Sequence, residues 1–214
     1  MPKSYSLSEF ESKELLRSYG IKITKDAIVY SADEAIEQSE IIGFPVVLKI
    51  SGAEFSHKTE LNGVKLNLDN ESSIRNAVAD LYESVDGQTP LLISEQVKSS
   101  REFIAGVTRN EEYGLVLAFG VGGIFTEIIK DVVFRLLPAS REEILSMFEE
   151  LFHKELFGEF RGESEINLEK LADTLAALGE CAMDREDILS IDVNPLLIDD
   201  GVPIAVDALV ELYE

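Results

Sequence analysis

The sequence predicts a mixed fold, α+β or mixed α/β, and three observations carry that expectation. Strand-like runs come in series and do not alternate strictly with helices. Helical segments open on side chains suited to capping them. No Pro- or Ser-rich linker and no internal repeat divides the 214 residues, a length between one large domain and two small ones.

The elements follow in order. Ser8-x-x-Glu11 reads as a capping box for a first helix, in which Phe10, Leu15 and Leu16 recur at helical spacing before Gly20 ends it. Ser31-x-x-Glu34 opens a second helix that stops at Gly43. Residues 45–50, PVVLKI, read as a buried strand, and a loop runs from there through Gly63. Residues 64–68 alternate apolar and polar, as a half-buried strand does. Asn70 caps a helix reaching about Ser84, and Pro90 precedes a strand at 91–97. The middle of the chain holds four β-like runs, 102–108, 115–119, 125–129 and 132–137, separated by turn residues. Ser140-x-x-Glu143 is a third box, opening a helical region with Met147, Phe148, Leu151 and Phe152. Residues 167–183 form an amphipathic helix through Leu168, Leu171, Leu175 and Leu178. The end reads as a hairpin, 188–198 and 202–210, turning at Asp199-Asp200-Gly201.

Composition excludes several functions. A net charge of −22 argues against nucleic acid as a partner, and the acids are scattered as on solvated helix faces. The most apolar stretch, 113–125, contains four glycines and is shorter than the ~20 residues of a spanning helix, so no membrane partner is expected. No signal peptide is expected behind Met1-Pro2-Lys3. The single cysteine, Cys181, lies in a helical pattern and fits core packing in a reducing cytoplasm. A surface this acidic repels phosphates, so a bound nucleotide needs a local cationic cluster and a divalent metal. No Walker-type loop, serine elbow or Cys/His metal spacing is present, and Gly120-Val121-Gly122-Gly123 lacks the third glycine of a dinucleotide fingerprint.

Four places remain for chemistry. Lys49 lies in a buried strand, where an ammonium is costly; it either emerges at the sheet rim or serves a ligand. His57 is either a solvated loop histidine or a nucleophile that carries a phosphoryl group, while His153, between Phe152 and Lys154, reads as structural. The glycine-dense segment 119–125 either makes tight turns or lets backbone amides approach phosphate, with Lys130 and Arg135 behind it as cations. Asp192 and Asn194 share one strand face. Counting outward from a two-residue turn at Asp200-Gly201 puts Asn194 opposite Asp207, at a separation where both could share one Mg²⁺. The bland alternative is the polar face of an edge hairpin blunted by Pro195 and Pro203.

These motifs together resemble the β subunit (the ATP-grasp part) of ADP-forming acetyl-CoA and acyl-CoA synthetases, and more distantly that of succinyl-CoA synthetase. The resemblance runs from Glu11-Ser12-Lys13-Glu14-Leu15-Leu16 to Ala205-Val206-Asp207-Ala208. Its most specific parts are 45–50, His57-Lys58-Thr59, 101–109, 119–127, 130–135 and Ile191-Asp192-Val193-Asn194-Pro195-Leu196. It implies an ATP-grasp fold of two α+β subdomains gripping a nucleotide, one at 22–95 and one formed by 1–21 with 96–214. Lys49 would hold nucleotide phosphates. Glu95 and Val97 would meet adenine and ribose, with Glu102 also in the nucleotide site. Gly122, Gly123 and Arg135 would line the phosphates, and Asn194 and Asp207 would bind Mg²⁺. His57 matches the family's second phosphorylated histidine, which relays a phosphoryl group to ADP. The first histidine and the CoA site would lie on a partner α subunit, in an α₂β₂ complex, since nothing here resembles a CoA-binding unit. The carrier segment departs from the family at Gly52, where proline is usual, and at Asn62, where a glycine usually precedes Gly63. Two other readings remain: a different ATP-grasp carboxylate ligase, which needs no phosphohistidine, and a non-catalytic nucleotide-sensing subunit.

Overall fold

The computed structural model describes residues 3–52, 63–85, 87–123 and 131–213. His57, Lys130 and the strand expected at 125–129 lie outside them. The first elements are β1 (Ser4–Ser6), α1 (Glu9–Ser18), β2 (Asp26–Val29), α2 (Ala32–Ile42), β3 (Val46–Ile50), β4 (Val64–Leu68), α3 (Glu71–Ser84) and β5 (Leu91–Glu95). Then follow β6 (Glu102–Asn110), β7 (Gly114–Val121), β8 (Val132–Leu136), α4 (Arg141–Glu150), α5 (Leu168–Asp184), β9 (Ile188–Asp199), β10 (Val202–Ala205) and β11 (Ala208–Tyr213). These residues group into two compact units. The smaller takes the described parts of Ser8–Phe10 and Thr24–Gln96; the larger takes those of Met1–Leu7, Glu11–Ile23 and Val97–Glu214.

In the smaller unit four antiparallel strands run in the order β2-β5-β3-β4. β3 has a neighbour on each side and all five of its residues are buried, which is why its sequence is nearly all apolar. Val46, Leu48, Ile50, Leu91 and Ile93 pack against Ala35 of α2 and Ile74, Val78 and Leu81 of α3. Asn70 and Ser73 cap α3 reciprocally. At α2 the box is shifted: Ser31 Oγ accepts from Glu34 N, but the Glu34 carboxylate accepts from Tyr30 N at 2.8 Å. β2 was not legible, and β5 stops two residues short of Val97.

The larger unit carries a seven-stranded sheet, β1-β11-β9-β6-β7-β8, with β10 also paired to β9. One side of its core is aromatic. Phe103 of β6 stacks between Phe119 of β7 and Phe157, at centroid distances of 5.3 and 5.8 Å, and Phe148 of α4 meets Phe119 edge-on. Leu171, Leu175 and Leu178 of α5 complete it. Ser140 and Glu143 form the expected box at α4.

Three expectations need correction here. The return arm of the last hairpin is two strands, β10 and β11, because Pro195 has no N–H to continue the ladder opposite Val206. The hairpin is not at an edge, since β9 pairs with β6 on its other side. The helical region after Ser140 ends at Glu150, leaving Phe152 85% exposed, as Asp131 accepts the N–H groups of Phe152 and His153 and turns the chain. β1 was also unforeseen; three residues paired only to β11 give no periodic signal.

Candidate functional site

The expected metal pair sits where β9 meets its return arm. Val202 pairs with Asp199 and Ala208 with Val193, so one register continues across the break and sets Asn194 opposite Asp207. Asn194 N donates to Asp207 O at 3.2 Å, and Val206 N donates to Pro195 O at 3.1 Å. Lys13 Nζ, from α1, donates to Val206 O at 3.2 Å. Asp192, two residues from Asn194, has its pKa raised, first by burial and then by the charge of Asp207. A depression of about 240 Å³ lined by Ile104, Gly106, Thr108 and Ala118 adjoins Asp192. Among the described residues no three His, Cys, Asp or Glu side chains cluster to hold a metal unaided. The donor set of one amide oxygen and one or two carboxylates suits Mg²⁺, which completes its shell with water and phosphate oxygens.

A second group of expected residues meets at the start of β6. Gly122 N donates to Glu102 O at 2.7 Å. A Cβ on Gly122 would lie 3.0 Å from the Phe103 carbonyl carbon, so the close approach of backbones requires glycine there. Gly123 has φ +87°, and Glu102 Oε2 lies 3.3 Å from where its Cβ would stand. Val97 is half-buried between β5 and β6. Arg135 is on β8, and its guanidinium donates to Ser146 Oγ, Phe134 O and the Glu150 carboxylate. Its charge is therefore already engaged by α4.

In the smaller unit Lys49 does not emerge at the rim. It is 5% exposed, and its Nζ donates to Glu9 Oε1 at 2.6 Å. Glu95 closes β5, and its Oε1 accepts from Lys25 N at 3.1 Å. His57 falls outside the described residues.

Sequence reasoning missed three features. Glu9, Ser12, Lys13 and Leu16 fall on one stripe of α1, and all are 4% exposed or less. The signal was available: positions 9, 12, 13 and 16 have helical spacing, so polar residues were entering the buried face. Arg101 and Arg109, prominent in the motif at 101–109, are structural here. Buried Arg101 donates to Glu163 and to the carbonyls of Leu156, Gly158 and Ser164, while Arg109 binds the carbonyls of Ala182, Arg185 and Ile188. His153 Nδ1 lies 2.8 Å from Asp131 Oδ2, a contact no local pattern announces.

With this geometry in place, comparison with known proteins is decisive. A family model described as an ATP-grasp domain matches residues 2–212. The chain belongs to the ATP-grasp family. Within it, the chain is 36% identical over 208 residues to the acetate–CoA ligase (ADP-forming) I subunit β of Pyrococcus furiosus, covering 94% of this chain and 90% of that one. It is equally identical, 36% over 209 residues, to acetate–CoA ligase (ADP-forming) II of Archaeoglobus fulgidus, covering 97% of this chain but only 30% of that longer protein. The structure superposes with a TM-score of 0.86 and 35% identity on the acetyl-coenzyme A synthetase 1 of Ca. Korarchaeum cryptofilum, over 97% of this chain and 93% of that one. That structure holds coenzyme A and Mg-AMPPCP, with its phosphohistidine segment pointing towards the nucleotide binding site. This ATP-grasp chain is thus of the ADP-forming acyl-CoA ligase kind, a ligase, and of the β-subunit type. Among its described residues no helix is long and apolar enough to cross a membrane.

Proposed function

We propose that this chain is the nucleotide-binding subunit of an acyl-CoA synthetase that converts acyl-CoA, ADP and phosphate to acid, CoA and ATP. The observation that carries the reading is the continuous register that sets Asn194 opposite Asp207 beside Asp192 in an ATP-grasp chain. Asn194 and Asp207 would hold Mg²⁺, which when bound neutralises phosphate charge and clamps its oxygens. Asp192 adds negative charge that a cation relieves.

Lys49, in the smaller unit, binds nucleotide phosphate; Gly122 and Gly123, in the larger unit, are phosphate-lining residues. Glu95, Val97 and Glu102 contact the rest of the nucleotide. Arg135 joins only by exchanging Glu150 for a phosphate oxygen. His57 takes the phosphoryl group from a first histidine on an α subunit and passes it to ADP: its N–P bond breaks as the bond to the ADP oxygen forms. That α subunit supplies the CoA site and the acyl phosphate chemistry. Cys181, single and buried, fits a cytoplasmic setting.

The test is an intact-mass measurement after incubation with Mg-ATP. One acid-labile phosphate, absent in His57→Asn, is the expected result. Label that persists in the variant, or never forms in the wild type, overturns the relay.

A further inference from the structure

The smaller unit buries two full charges together. Lys49 and Glu9 are 5% and 4% exposed, and they meet at 2.6 Å. Such a pair contributes little to stability, because the cost of dehydrating both ions roughly cancels their attraction. A hydrophobic pair would fill the space at no loss, so the pair calls for another explanation.

The surroundings of Lys49 supply one. Val46, Leu48 and Ile50 face α2 and α3, so Val47 and Lys49 face the other way. The strand register sets Leu92 and Val64 beside Lys49, with Ser94 opposite Val47 and Asp26 next to Ser94. Ser94 is 1% exposed, and among the described residues its hydroxyl has no hydrogen-bond partner. Asp26 accepts from Thr24 Oγ1 at 2.9 Å. Lys65 of β4 turns to the helix side, to Asp80 of α3. The charged groups described on the Lys49 face are therefore Glu9, from the first turn of α1, and Asp26, and both are acids. Burial by itself disfavours the charged form of a lysine, by up to 3–5 pKa units for a fully buried amine.

We propose that Glu9 is the positioning residue for Lys49: it keeps the ammonium protonated and aimed inside a dry site, and yields it to the incoming nucleotide phosphate. This rests on the reading of Lys49 as a phosphate ligand. The ammonium has already lost its water to Glu9, so phosphate entry replaces one anion by another without fresh dehydration of the ammonium. Phosphate binding needs the charged amine, which exists below the lysine pKa and is lost as pH rises through it. Glu9 moves that loss to higher pH, and removing Glu9 moves it back down.

Calorimetry of Mg-ADP binding to the full chain tests this at about pH 6.5 and about pH 8.5, which bracket a lysine lowered by a few units. Wild type should bind with similar affinity at both. Glu9→Gln should bind about tenfold or more weakly at the higher pH than at the lower, and Glu9→Asp should restore the flat profile. Amine-directed labelling of Lys49, read by peptide mass, should be faster in Glu9→Gln and slowed by ADP. These readouts separate positioning from a merely structural role, which would lower affinity equally at both pH values. A Glu9→Gln profile as flat as wild type, with unchanged labelling, overturns the proposal and leaves the nucleotide reading intact. Wild type that binds no Mg-ADP at either pH overturns the nucleotide reading itself.

Discussion

Asp207 and Asp192 repel one another within a continuous ladder, and that repulsion adds to the raised pKa of Asp192, behind the larger effect of its burial. Two acids held this close would be relieved by a cation, as the proposed Mg²⁺ role of Asp207 requires. Asp207→Asn should relieve the repulsion and weaken Mg-dependent ADP affinity by about tenfold, in line with the loss of one charged contact. Unchanged Mg-dependent affinity in calorimetry would remove Asp207 from the proposed metal site. Cys181 makes the opposite point, since burial pushes its thiol up to about 11. The thiolate is what reacts, so an alkylating reagent should leave the folded chain unmodified at neutral pH and add one label on unfolding. Labelling of the native chain at the rate of a free thiol would contradict the packing of α5 described above.

At the scale of elements, Asp131 joins the start of β8 to the end of α4. Burial pushes its pKa up, but hydrogen bonds from Phe152 N–H, the His153 ring and His153 N–H outweigh that and hold it below the usual carboxylate range. A carboxylate lowered in the folded state adds stability above its unfolded pKa, near 3.9, and loses it as pH falls through the lower folded value. Asp131→Asn should therefore cost about 1–3 kcal/mol at neutral pH, and its difference from wild type should shrink below about pH 4. A difference that stays constant into acid would show that the charge is not what holds the turn. Ser140→Ala, which removes one half of the α4 capping box, should cost about 1 kcal/mol in chemical denaturation. The helix starts at Ser31, Asn70, Ser140 and Asn167 were legible because a cap acts within three residues. β1 and β2 were not, because each is stabilised by a strand distant in sequence, β11 and β5.

For the whole molecule, the inventory of groups is one-sided. The chain offers candidates for a nucleotide site and a phosphoryl carrier, and a net charge of −22. Co-expressed with an α subunit, it should support acyl-CoA-dependent ATP formation, through a permanent interface on the order of 2,000 Å² or more. Assembly should slow as salt rises, since an acidic surface steers a basic partner mainly through the association rate. Acyl-CoA-dependent ATP synthesis by the isolated chain would overturn this division of labour.

The sequence by itself determined the mixed class, most helix boundaries, the family resemblance and the register of the last hairpin. These depend on local periodicity, caps and a turn whose length sets the pairing on both sides. Only the tertiary structure decided the fate of individual charges. Lys49 read either as a rim lysine or as one serving a ligand, and nothing local showed that α1 would bring Glu9, forty positions away in the chain, to 2.6 Å. Arg135 looked free to meet a phosphate until α4 folded Glu150 against it. The reason is physical: a charge in a dry site takes its properties from whichever partner is within a few ångströms, and that partner is chosen by packing between elements.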